Sequence, residues 1–254
     1  MTKYIRYRIG SRTAYGILEN DTITELDGDL LAHKPTSVRH KLEGVKLLYP
    51  CTPGKVLAVG RNFKTHFADR PHPKRPELFY KPISCLQNPG DPIISPPDAT
   101  DLHHEAELVF VFGKRLRHAS KEEALAGIFG LTCGNDVSER LWQHGPQKDV
   151  QWWRAKGCDT FGPLGPAIVS GLNPDNLQLT CRINGEVVQN QSTADFIFDS
   201  ATMISFASQY LTIEPGDIMF TGTPGDTRAM QPGDTVEVEI EGIGILSNPI
   251  IREA

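Results

Sequence analysis

Three acidic residues stand where they could share one ion. In LHHEAELVFVFGK, Leu102 to Lys114, Glu105 and Glu107 are two apart at the head of an apolar run. Val109, Phe110, Val111 and Phe112 are β-branched or aromatic, which predicts a strand. Side chains alternate along a strand, so His103, Glu105, Glu107, Val109 and Val111 fall on one face. Same-face neighbours lie ~7 Å apart along the backbone, close enough for both carboxylates to ligate one hard cation. The competing reading is a charged strand edge that resists aggregation. Asp136, in GNDVSER, follows the apolar IFGLTCG and predicts a carboxylate emerging at a strand end. It is a candidate third ligand, although Asp136 with Glu139 three residues on also has the form of a capping box.

Other segments carry weaker signals. Lys156 in RAKGCDTFGP lies beside Gly157 in a Gly/Pro-bounded segment and could give a point charge to an anionic substrate; solvated lysines are the commoner case. Thr223 in TGTPGD could offer its hydroxyl to a ligand or merely stabilise a turn. His66 and Asp69 in RNFKTHFADR are three apart and would share a helix face, and a carboxylate that orients an imidazole is how a general base is held. A surface His–Asp pair explains the same spacing. No HExxH or P-loop pattern supports zinc or nucleotide chemistry.

The elements that must position these residues are mostly strands. The 254 residues include Gly 23 and Pro 19, which favours a turn-rich β architecture over a helical bundle. Residues 1–50 predict a small β domain of three short strands (YIRYRI, TAYGILE, TITEL), and 51–254 a larger domain. VLAVG and FYKPI predict strands, with Asn62 between them as a possible helix cap. KEEALAGIFGL predicts a helix or a helix leading to a strand, TCRINGEVVQN a hairpin turning at Asn184-Gly185, and Ser200 to Leu211 a helix. Trp142, Trp152 and Trp153 crowd the segments that carry the candidate residues, and predict a lid, a subunit contact or ordinary core.

The net charge is −5 with scattered basic residues, which excludes a phosphate-neutralising surface and so a nucleic-acid partner. No run approaches the roughly 20 apolar residues of a membrane helix, and the first residues lack a signal peptide's apolar block. Five cysteines, odd in number and never in CxxC, fit free thiols in a reducing cytoplasm.

Taken in order, GRNFKTHFAD, FYKP, LHHEAELVFVFGK, GNDVSER, RAKGCDTFGPLGP and TGTP resemble the fumarylacetoacetate hydrolase family over about 200 residues. The resemblance implies a mainly β fold with some helix (α+β), a mixed β-roll or β-sandwich with a small N-terminal β domain, and a homodimer. It implies that Glu105, Glu107 and Asp136 bind Mg²⁺ or Mn²⁺, with Ca²⁺ able to substitute. Lys156 matches the family's active-site lysine; Lys81, Arg140, Gln143 and Thr223 match its substrate-binding positions. His66 matches the lid histidine of hydrolytic members, but its acid partner is Asp69 rather than Glu. A second departure is TGTPGDTRAM, where many relatives continue TGTPxGVG.

Family substrates are short 2-oxo acids, so the resemblance implies polarisation of a 2-oxo group and an enolate stabilised beside Lys156. With His66 and Asp69 activating water, it implies hydrolysis of a C–C bond in an acylpyruvate, of fumarylpyruvate or acetylpyruvate type. Decarboxylation or tautomerisation of oxaloacetate is the alternative, followed by isomerisation of an aromatic-degradation intermediate. A non-catalytic metal-binding module is disfavoured, because Lys156 and His66 accompany the carboxylates.

Overall fold

The computed structural model describes residues 1–67 and 70–253. Asp69, the expected partner of His66, lies outside the described residues. The chain is mainly β, with short helices at α1 (Lys121–Ala126), α2 (Arg140–His144), α3 (Trp153–Gly157) and α4 (Ser200–Tyr210).

A large mixed sheet organises the molecule. Its strands run in the order His33–Lys41, Thr22–Gly28, Arg12–Glu19, Lys3–Ile9, Gly162–Val169, Ile128–Asn135, Ala106–Phe112, Ile218–Phe220, Val56–Gly60, Glu77–Lys81. The N-terminal strands therefore extend the same sheet: Lys3–Ile9 pairs antiparallel with Gly162–Val169. A second sheet runs Glu186–Ser192, Gln178–Ile183, Thr235–Ile240, Gly244–Arg252, Ile93–Ser95. The expected hairpin is there, turning at Asn184 and Gly185, both with positive φ.

Ala106–Phe112 sits in the middle because both its faces are apolar, as a strand covered on two sides requires. Leu108 and Phe110 join a core that includes Leu179, Val238 and Leu246 of the second sheet and Met203 and Ile204 of α4. Val109 and Val111 face the other way, among Ile168, Ile218 and Phe220. Leu108, Val109, Phe110 and Val111 are each 0 % exposed, so truncating Leu108 or Phe110 to Ala would cost about 2–5 kcal/mol. The regular strand begins at Ala106, one residue after Glu105; the preceding Leu102–His103 forms a separate two-residue ribbon with Ser138–Glu139.

Several local expectations change. KEEALAGIFGL divides after Ala126, and α1 opens on a capping box that the sequence reading missed, Ser120 with Glu123. The strand His33–Lys41 was also not anticipated: it is a polar sheet edge with Pro35 in it, where an open side tolerates the missing N–H. Asn62 caps nothing. It is buried, and its amide ties Phe198 to Thr221.

Candidate active site

The acidic residues meet because a strand and a strand end deliver them to one point. Asn135 lies opposite Ala106 in the sheet register, and its side-chain Oδ1 accepts the Glu105 N–H at 2.9 Å. Asp136 is not the helix cap: Glu139 caps α2, accepting the Trp142 N–H at 2.7 Å and the Asp101 N–H at 2.8 Å. That leaves the Asp136 carboxylate free to turn inward. Oxygen atoms of Glu105, Glu107 and Asp136 lie within 4.8 Å of one another, all buried.

Such a cluster must be compensated, and the chain supplies three cations. Lys156 Nζ lies 2.5 Å from Glu105 Oε2 and 2.7 Å from Asp136 Oδ2. Arg140 reaches Glu105 Oε1 at 2.5 Å, and Lys81 reaches Asp136 Oδ1 at 2.6 Å. Burial alone would raise Glu105, but Lys156 and Arg140 outweigh it and hold the carboxyl well below its usual range. Glu107 fares differently. The one hydrogen bond described for its carboxylate comes from Gly222 N–H at 2.7 Å. Burial, then Asp136 and Glu105, push it well above the usual range. An all-oxygen donor set with one buried carboxylate lacking a cation suits a hard divalent ion, and the residues present fit Mg²⁺ or Mn²⁺.

These carboxylates line a cavity of about 460 Å³ with His66, Arg140, Gln143, Lys156 and Thr223. The structure thus brings eight of the ten anticipated residues together. Lys81 differs from expectation. Its ammonium is fully buried behind Asp136 and also donates to the backbone carbonyls of Lys156 and Phe161, so it props the site instead of lining the pocket. Asp69 is outside the described residues.

The lysine and arginine owe their places to short helices. Arg140 opens α2; its Nη1 donates to Gln143 Oε1 at 2.6 Å and its Nη2 to Thr227 Oγ1 at 2.9 Å. Lys156 is buried in α3, with its ammonium 5.5 Å from the Phe79 ring centre. Trp142 is core, covered by the Arg154 guanidinium at 4.4 Å, whereas Trp153 is 68 % exposed.

TGTP does its work mainly through backbone. The Gly222 N–H meets Glu107, and the Thr223 carbonyl lies 2.7 Å from His66 Nε2. A carbonyl only accepts, so Nε2 carries the proton and Nδ1 keeps the lone pair. Burial lowers His66, against the opposing Thr223 carbonyl, which favours the neutral ring. The Thr223 hydroxyl is taken by Gln189 Nε2 at 3.0 Å. Gln189, Thr227 and Asn135 are not picked out from the sequence, although they lie in TCRINGEVVQN, TGTPGDTRAM and GNDVSER: each serves a partner 30 or more positions away, and nothing within its own segment marks it.

Comparison with known proteins gives the family. The model "Fumarylacetoacetate (FAA) hydrolase C-terminal" matches residues 55–251, and "Rv2993c-like, N-terminal" matches residues 2–50. The chain is 40% identical to the mitochondrial oxaloacetate tautomerase FAHD2A of Bos taurus, across 82% of this chain and 70% of that protein. It superposes on the 2-hydroxyhepta-2,4-diene-1,7-dioate isomerase of Mycobacterium marinum with TM-score 0.92 and 34% identity, over 100% of both chains. A maleylpyruvate hydrolase from Sphingobium sp. SYK-6, solved with manganese(II) and pyruvate, matches with TM-score 0.82 and 25% identity, over 99% of this chain and 100% of that one.

Proposed function

This chain belongs to the fumarylacetoacetate hydrolase family, and from that premise we propose that it is a divalent-metal-dependent enzyme that forms and resolves the enolate of a short 2-oxo acid. Its first reaction is keto–enol tautomerisation of an oxaloacetate-class acid; hydrolysis of an acylpyruvate C–C bond is the second reading. The carrying observation is the pairing, in one cavity, of a buried oxygen-ligand cluster with an imidazole whose Nε2 is held by the Thr223 carbonyl and whose Nδ1 has no partner among the described residues. A cation held by Glu105, Glu107 and Asp136 supplies Lewis-acid polarisation of the 2-oxo oxygen.

The chain's own groups account for the rest. Tautomerisation breaks a C–H bond next to the 2-oxo carbon and forms an O–H bond on the 2-oxo oxygen, with no other reactant consumed. Nδ1 of His66 is the group able to take the proton, and the Thr223 carbonyl keeps the other nitrogen protonated. Lys156 places positive charge where the enolate oxygen develops. Arg140, steadied by Gln143 and Thr227, can pair with a carboxylate at the far end. Proton transfer is placed first because it needs only this one base and because the tautomerase and isomerase relatives are more similar than the hydrolase. The order reverses the expectation from sequence, in which cleavage came first.

Hydrolysis remains as the second reading because His66 matches the lid histidine of hydrolytic members, with Asp69 standing where they carry Glu. Water would add to the distal carbonyl, the C–C bond would break, and its electrons would stay on the pyruvate enolate. The five cysteines are free thiols, which supports a reducing cytoplasm as the setting; no helix among the described residues is long and apolar enough to cross a membrane.

The test is an ultraviolet assay of oxaloacetate enol–keto exchange and of acetylpyruvate cleavage, with Mg²⁺, with Mn²⁺ and with chelator. The expected result is metal-dependent exchange that falls ~10²–10⁴-fold in His66→Ala, with slower or no cleavage. Neither activity responding to metal would overturn the proposal. Cleavage that dominates and collapses in His66→Ala would promote the second reading.

A further inference from the structure

Among the described residues that line the site cavity, Val59, Phe79 and Trp152 are the apolar ones, and the rest carry charge, hydroxyl, imidazole or amide groups, apart from three glycines. Among those residues an apolar substituent on a substrate therefore has chiefly Phe79 and Trp152 to lie against. Phe79 and Trp152 also line a second, larger cavity of about 730 Å³. Its surface continues with Leu78, Pro82, Val150 and Trp153. The two rings meet edge to face, with centroids 5.5 Å apart and planes at 78°. They form a partition between the smaller polar chamber and a larger, mostly apolar cavity that opens to solvent, where Val150 is 99 % and Trp153 68 % exposed.

The backbone at Trp152 is held in an unusual state to keep that partition closed. Its φ is 55°, in the left-handed region, at the N-cap just before α3. Bulky side chains rarely adopt this region. Such conformations persist where the surroundings over-determine them, and they cluster at working sites. Here the carbonyl of Trp152 accepts the Lys156 N–H at 2.9 Å, and the indole meets the His144 ring at 6.2 Å as well as Phe79. A glycine would satisfy the same backbone without strain, so what the site gains from a tryptophan here is its ring.

We infer that Trp152 is the specificity-determining residue that restricts this site to short 2-oxo acids, by walling the reaction chamber off from the apolar cavity behind it. The inference rests on the reading of the site as one that binds 2-oxo acids. Trp152→Gly keeps the favoured backbone and joins the two chambers; Phe79→Ala removes the other half of the wall.

Calorimetric titration of the full chain in saturating Mg²⁺ compares pyruvate with phenylpyruvate, and Mg²⁺ alone serves as the check that the ligand cluster is intact. In Trp152→Gly the phenylpyruvate-to-pyruvate affinity ratio is expected to rise at least ~10-fold, the scale on which hydrophobic pockets discriminate added carbon. Phe79→Ala should move the ratio the same way, and Trp152→Phe should leave it near the wild-type value. Pyruvate binding with an unchanged ratio in both wall variants overturns the inference and leaves the functional reading standing. Failure of the wild-type protein to bind either acid overturns that reading and the inference with it.

Discussion

Gly222 and Gly233 offer a matched pair of perturbations. Their φ values are +96° and +100°, so an alanine at either suffers nearly the same backbone strain, but their surroundings differ. A Cβ on Gly233 would meet nothing within 4 Å, whereas one on Gly222 would stand 3.0 Å from Asn62 Cβ, 3.2 Å from the Val59 carbonyl and 3.3 Å from the Asn62 nitrogen. Gly233→Ala therefore measures strain alone, about 1–3 kcal/mol. Gly222→Ala adds a collision with backbone that cannot swing away, and moving that backbone weakens the N–H bond to Glu107. In the metal-free protein the Glu107 carboxyl is pushed well above its usual range, so the bond counts as an ordinary one, worth about 0.5–1.5 kcal/mol. Added to the strain, the sum for Gly222→Ala is about 1.5–4.5 kcal/mol. For a chain of this size each kcal/mol shifts Tm by roughly 2–4 °C, so the expected losses are about 2–12 °C for Gly233→Ala and about 3–18 °C for Gly222→Ala. Scanning calorimetry on the metal-free protein reads the difference. Calorimetric titration supplies the second axis: Mg²⁺ affinity should fall at least ~10-fold in Gly222→Ala, on the scale seen when outer partners of metal ligands are lost, and stay put in Gly233→Ala. Equal melting losses together with unchanged Mg²⁺ affinity would refute the claim that this turn aims Glu107.

Glu107→Gln should weaken Mg²⁺ binding at least ~10-fold, because one of three charged ligands becomes neutral; titration showing wild-type affinity would remove Glu107 from the ligand set. Glu25 is held down at about 2 by Arg12, against its burial and with help from His40 and Tyr7. A depressed carboxylate stabilises the fold above its unfolded value and loses that contribution as pH falls through the folded one. Urea midpoints should therefore drop between about pH 4.5 and 2, and Glu25→Gln should show a shallower drop over that window; identical slopes would sink the assignment. Tyr80, Val150 and Trp153 are exposed at or beside the outer strand Glu77–Lys81, apolar surface suited to a second copy of the chain. Light scattering at micromolar concentration should return about twice 28.1 kDa, and a monomer mass would discard the dimer.

The metal-ligand candidates were legible because Glu105 and Glu107 stand two apart at the head of an apolar run, although the regular strand starts only at Ala106, and because the ordered motifs resemble a family. Other parts were written in groups that carry no letter. The Gly222 N–H and the Thr223 carbonyl are backbone atoms, so TGTP pointed to the right turn for an incomplete reason. Lys81 could be placed near the site, but whether its ammonium faced the cavity or lay behind Asp136 depended on packing from three distant segments. Asp136 looked like a cap because Glu139 followed it; only the fold shows that Glu139 took that task. The strand His33–Lys41 escaped notice because a polar edge buries too little to impose an apolar alternation.

The hydrogen bonds that assemble the site join residues far apart in the chain: His66 to Thr223 across 157 positions, Glu107 to Gly222 across 115, Lys81 to Lys156 across 75. Closing such loops costs entropy before any contact repays it, and chains dominated by distant pairings fold slowly. A nascent chain holding Glu105, Glu107 and Asp136 has its acidic residues well before the segment at 222 that orders one of them is synthesised. Competence therefore arrives late in folding and all at once. On unfolding, metal affinity and the near-ultraviolet signal of the buried aromatic residues should vanish together, leaving no partly folded form that still holds the ion.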